Sequence, residues 1–161
     1  MRRHLVILAL AAAAASAADA RPVTMAAVVR SALDAVCAKV LTGQPRDEAL
    51  HDAYVRGWTD GGGRAQAKSG AWGVVRVLIT EDVTECRING RGQAGPEILD
   101  AVDAWAARQG FGPDGQRRAE AGAAEQAWRH GAGLSLSART SAPAPSGAAR
   151  FDLTLQAPAR R

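Results

Sequence analysis

The sequence predicts an α+β domain of two layers: a four-stranded antiparallel sheet with helices on one face and one disulfide. Three observations carry this. Apolar residues recur every three to four positions in three segments, the period of a helix with one buried stripe. They alternate with polar residues in four others, the period of a strand with one solvated face. The order is helix, helix, two strands, helix, two strands, and a polar face on every strand argues that helices cover only the other side. Two cysteines, Cys37 and Cys86, fall on core-facing positions of a helix and a strand.

The chain begins with Arg2, Arg3 and His4, then an unbroken apolar run from Leu5 to Ala15, then small residues from Ser16 to Ala20. That order reads as a secretory signal peptide over residues 1–20, cleaved near Ala20, with Ala17 as the neighbouring alternative. The apolar run is too short to span a bilayer, which takes roughly twenty residues. No cysteine follows the small residues to take a lipid. Residues 21–161 then form one domain, exported to the periplasm or the extracellular space, with no transmembrane segment in the mature chain.

The first helix is expected over Thr24–Leu41. Met25, Val29, Leu33, Cys37 and Leu41 share a stripe that Val36 and Val40 widen, Thr24 serves as N-cap and Gly43 as stop. The second runs from Pro45 to about Trp58, with Pro45 at its first position, Asp47 and Glu48 in its first turn, and Leu50, Tyr54 and Trp58 as its stripe. Residues 59–70, rich in glycine and small or charged residues, read as a flexible loop. A hairpin follows: Val75, Val77 and Ile79 alternate before Glu81-Asp82, and Thr84, Cys86 and Ile88 after it. A two-residue turn at Glu81-Asp82 sets Val77 opposite Cys86, Val75 opposite Ile88 and Ile79 opposite Thr84. The same register sets Arg76 against Arg87, a mildly unfavourable pair that leaves the turn length open.

A third helix opens at Gly95-Pro96-Glu97, buries Ile98, Val102 and Trp105, and closes at Gly110-Phe111. Residues 112–123 read as a second flexible connection. One strand then alternates from Trp128 to Arg139 and another from Arg150 to Ala157. The Pro/Ser/Gly loop at 141–147 joins them, and the tail at 158–161 reads as disordered.

Composition narrows the function. Aromatics are 4% of the chain, so a small-residue core relies on Trp58, Trp72, Trp105, Trp128, Tyr54, Phe111 and Phe151. Formal charge is +4, and removing Arg2, Arg3 and Asp19 with the leader leaves 18 basic against 15 acidic residues. All but Lys39 and Lys68 of the basic residues are arginines. Like charges never run beyond a pair, so no polybasic tract is present, and export argues further against nucleic acid as a partner. In an oxidising compartment Cys37 and Cys86 read as a structural bridge closing a loop of about fifty residues. A redox pair would need close spacing such as C-x-x-C.

Candidate chemistry is sparse. Gly62-Gly63-Arg64-Ala65-Gln66-Ala67-Lys68-Ser69 misses the phosphate-binding loop pattern by one residue, Ala67, and lacks its strand-before, helix-after context. Asp47, Glu48, His51 and Asp52 are the densest metal-capable set, with Asp47 and His51 on one helical face. A metal site needs three or four converging ligands, and the helix dipole already accounts for acids in a first turn. No metal or cofactor is therefore assigned. His130 falls on the apolar face of its strand beside Trp128, where a buried general base would sit. A backbone-bonded histidine at a sheet margin fits that position as well, and no nucleophile motif accompanies it. The expectation is an exported, non-enzymatic binding, accessory or envelope-associated domain whose partner is another envelope protein or an anionic surface component. The alternative is a small exported hydrolase or metal-dependent enzyme using His130 or the Asp47/His51 cluster.

Overall fold

A computed structural model describes residues 23–60, 65–92 and 96–158. The expected leader over 1–20 lies outside these, as do residues 61–64 of the first expected loop and all of the tail beyond Pro158.

Helix α1 (Met25–Ala32), a π-helical turn (Leu33–Cys37) and α2 (Ala38–Leu41) run on as one rod. The Thr24 hydroxyl accepts from the Ala27 N–H at 3.2 Å, which satisfies one free donor of the first turn. The expected stripe is buried from Met25 to Val40, with Val28 and Ala32 added and Leu41 at its margin. In the wide turn the Ala38 N–H bonds the Leu33 carbonyl, five residues back. Helix α3 (Arg46–Val55) is shorter than expected and begins after Pro45, whose extended ψ of 137° places it at the cap. Its stripe also differs. Ala49 and Ala53 face the core, while Tyr54 is 67% exposed. Trp58 is buried, yet it lies past the helix end, its N–H bonded to the Ala53 carbonyl at 3.1 Å.

Among the described residues nine antiparallel strands form one sheet, which overturns the four-stranded, two-layer expectation: this part of the chain is mostly sheet with three helical rods. The strands are β1 (Thr59–Asp60), β2 (Ala65–Gly70), β3 (Gly73–Ile79), β4 (Glu85–Gly92), β5 (Phe111–Pro113), β6 (Arg118–Glu120), β7 (Ala123–His130), β8 (Ser135–Thr140) and β9 (Ala149–Gln156). Their order is β1-β2-β3-β4-β9-β8-β7-β5, with β6 also pairing β7. The last strand thus sits mid-sheet between β4 and β8.

The described residues of the expected loop at 59–70 are therefore all strand, and half of those at 112–123 are. Neither segment has the β-branched alternation that marks a strand, but β2 pairs with β3 along its whole length, from Ala65↔Leu78 to Gly70↔Gly73. Pairing supplies what propensity lacks. At Gly73, φ is +129° and an added Cβ would meet the Arg91 carbonyl at 2.2 Å, so only glycine fits the turn back into β3. The single strand expected over Trp128–Arg139 is instead two, β7 and β8. They are folded about Gly131–Leu134, with the His130 N–H bonded to the Leu134 carbonyl at 2.9 Å. Residues 141–148 connect β8 to β9 without regular structure, in the place of the expected loop.

The β3–β4 register is shifted by two residues from the expected one. Ile79 pairs with Cys86, Val77 with Ile88 and Val75 with Gly90. The turn is longer than Glu81-Asp82. It is closed by Thr80 N–H to the Glu85 carbonyl (3.0 Å) and Val83 N–H to the Thr80 carbonyl (3.1 Å), with Val83 at φ +56°. An even shift keeps every side chain on its face, so Val75, Val77, Ile79, Cys86 and Ile88 all remain buried. It also separates Arg76 from Arg87 and gives Arg76 Asn89 as its neighbour.

Helix α4 (Pro96–Arg108) buries Ile98, Leu99, Val102, Trp105 and Ala106. Gly110, at φ +80°, turns the chain so that the Phe111 ring lies 5.8 Å from that of Trp105. One core holds these helix faces and the inward side chains of β3, β4, β7, β8 and β9, with Trp58, Trp105, Trp128 and Phe151 its largest members. The Cys37–Cys86 disulfide ties the π-helical turn to β4 across a Cα–Cα distance of 5.4 Å.

Candidate functional site

Inward positions of the sheet are apolar, so alternation forces the polar residues of each strand onto the opposite face. Register then lines them up across strands. One row reads Arg118, Glu125, Arg139, Asp152, Asn89 and Arg76, each opposite the next. Outward positions of β3, β4, β8 and β9 carry Arg76, Arg87, Arg91, Arg139 and Arg150 against only Glu85 and Asp152. The face is strongly basic at its centre.

Ion pairs neutralise part of it. Arg139 meets Glu125 at 2.9 Å, and Arg118 meets the same carboxylate at 3.5 Å. Arg129 meets Asp114 at 2.6 Å, and Arg117 meets Asp100 at 2.8 Å. Arg87 bonds Glu85, which also accepts from the Gln156 amide at 2.8 Å. The Arg87 guanidinium and then the Gln156 amide hold the Glu85 carboxyl below its ordinary value, and Glu85 in turn raises Arg87. Asp82 is lowered by the hydroxyls of Thr80 and Thr84 within the β3–β4 turn.

The 114–118 segment rises beside this face and deepens it into a cavity of about 850 Å³ that reaches Arg87, Arg117, Arg139, Asp114 and Asp152. A neighbouring cavity of about 530 Å³ lies between Arg118, Arg139, Arg150 and Phe151. A third, of about 350 Å³, is bounded by Arg76, Asn89, Arg91, Arg150 and Asp152. Such volumes are those of small-molecule sites. Chemically, the surface offers guanidinium forks, carboxylates and an amide to a polar ligand.

The residues singled out from sequence lie elsewhere. His130 is half-buried at the end of β7, its ring 5.2 Å from that of Phe111 and its Nδ1 accepting the Ala132 N–H at 3.1 Å. It borders none of these cavities, and no carboxylate or hydroxyl bonds it among the described residues. Asp47, Glu48 and His51 are exposed on α3, while Asp52 bonds Gln44 (3.3 Å) and Lys39 (3.4 Å), which lower its pKa in that order. Among the described residues no three metal-capable side chains converge. Lys68, from the phosphate-loop-like run, lies in β2 and donates to the Arg56 carbonyl at 2.9 Å. No helix among the described residues is long and apolar enough to cross a membrane.

Sequence reasoning missed the arginine face, although part of its signal was legible. Arg87-x-Asn89-x-Arg91 and Arg150-x-Asp152 show polar residues at a period of two. Which strand lies beside which was not legible, and only that neighbourhood gathers the charges. Comparison with protein-family models, curated proteins and solved structures gave no match.

Proposed function

We propose that this chain is an exported, non-enzymatic binding domain that holds an anionic component of the cell surface on the polar face of its sheet. The observation that carries the reading is the composition of that face: five arginines against two acids at the outward positions of the four central strands. Strands fix the points from which these side chains leave the backbone, which suits recognition better than placement on loops does. Arginine presents a planar fork that matches carboxylate and phosphate oxygens two at a time. The signal-peptide pattern of residues 1–20 and the disulfide both favour a place outside the cytoplasm.

A second basic group, Arg30, Arg56 and Arg108, borders a cavity of about 440 Å³ on the helical side. It comes from α1, the residue that caps the end of α3, and α4, and provides a matched control. Replacing Arg76, Arg91 and Arg150 with glutamate should release the protein from immobilised heparin at clearly lower salt than wild type. The same change at Arg30, Arg56 and Arg108 alters net charge equally and should leave elution closer to wild type. Equal shifts for the two triple variants would mean that net charge alone drives retention, and the sheet face would lose its role.

A further inference from the structure

We propose that Arg76, Arg91 and Arg150 form a subsite for a phosphomonoester group, the terminal dianion of the anionic component held on this face. This rests on the sheet-face reading above and assigns its ligand chemistry. Register sets Arg91 directly opposite Arg150, and Arg76 is the diagonal neighbour of Arg91 across the β3–β4 pair. All three border the cavity of about 350 Å³. Directly opposed like charges destabilise a sheet, and here no acid separates them.

The other arginines of this face are each engaged: Arg87 with Glu85, Arg129 with Asp114, and Arg118 and Arg139 with Glu125. Arg76, Arg91 and Arg150 make no side-chain hydrogen bond or ion pair among the described residues. Three positive charges therefore face one negative charge, Asp152, at the cavity wall. The excess matches a phosphomonoester, which carries close to two negative charges at neutral pH and three acceptor oxygens. A carboxylate or a phosphodiester brings only one charge. The Asn89 amide, in register between Arg76 and Asp152, adds two further donors.

A phosphomonoester that stands clear of the bilayer is favoured over a lipid headgroup. The large apolar side chains exposed among the described residues are Val23, Tyr54 and Val55, at the start of α1 and on α3, so this face presents none of them to anchor in a bilayer.

The test is thermal unfolding and calorimetric titration of the oxidised protein with methyl phosphate at pH 8, with ionic strength held constant by sodium chloride. Methyl phosphate should raise the melting temperature, and acetate should not. Arg91→Ala and Arg150→Ala should each weaken binding at least tenfold, whereas Arg30→Ala on the helical side should bind as wild type does. Affinity should also fall as the pH drops through about 6, where the phosphate takes up its second proton. No response to methyl phosphate, equal binding of acetate, or undiminished binding by Arg91→Ala would overturn the proposal. So would capture by phosphatidic acid vesicles without a response to methyl phosphate. Were heparin retention still lost only in the sheet-face triple variant, the binding face would stand and the phosphomonoester assignment alone would fall.

Discussion

Glu85 shows how single side chains tune this surface. Its carboxylate bonds Arg87 and the Gln156 amide, so the folded state holds it ionised below the ordinary glutamate value of 4.5. A depressed carboxyl stabilises the fold at pH values above the unfolded value, and that stability is lost as pH falls toward the folded one. Glu85→Gln should therefore cost about 0.5 kcal/mol at pH 7, the scale of a partly exposed ion pair. It should also lose less stability than wild type as the pH is lowered through the carboxylate range. Urea unfolding from pH 7 down to that range measures both, and an acid response identical to wild type would refute the role given to Glu85. At the same scale, the burial of Trp58, Trp105 and Trp128 was readable from size and hydrophobicity. Their partners were not. The Trp105 indole donates to Asp34 at 2.6 Å across 71 residues of sequence, and that of Trp128 donates to Asp103 at 2.8 Å. Tyr54 was misplaced because α3 approaches the core through its alanines, and the residue beside Ala53 is turned outward.

Among the elements, the helices were the most legible because their periodicity is local. Thr24, Gly43 and Gly110 mark ends that need nothing beyond neighbouring residues. Strands of small and polar residues left no such trace: β1, β2, β5 and β6 exist because a neighbour satisfies their backbone. The β3–β4 turn is a middle case. Val83 takes a left-handed conformation that β-branched residues avoid, while its side chain packs against the core and Asp82 accepts from the Thr84 N–H at 3.3 Å. Two extra turn residues result. The Cys37–Cys86 bridge joins a helix to the sheet and spans a sequence separation of 49 residues. In the chain-entropy account, removing it should cost about 4 kcal/mol. Urea denaturation of the Cys37→Ala/Cys86→Ala double variant gives the value, and a loss below about 1 kcal/mol would show that the bridge constrains little.

For the whole molecule, one sheet organises everything else. The β9 strand closes the gap between the hairpins before α4 and those after it, so folding joins the last strand to β4 and β8. Long-range pairing of this kind is the slow step in sheet assembly. Export would place that folding in an oxidising compartment. The exported protein should have a mass corresponding to a chain beginning at Arg21 and lacking two hydrogens. An intact leader or two titratable thiols in exported material would remove the main support for a site of action outside the cytoplasm.

The sequence by itself determined which face the core residues of β3, β4 and β9 occupy, where the first and last helical rods begin and end, and that two core-facing cysteines would meet. All three follow from periods of two or 3.6 residues, which survive errors in register and turn length. Strand number, strand order and the gathering of Arg76, Arg91 and Arg150 were decided only by tertiary structure. Each depends on which distant segment satisfies a strand's backbone hydrogen bonds, and that choice is made by the sheet as a whole.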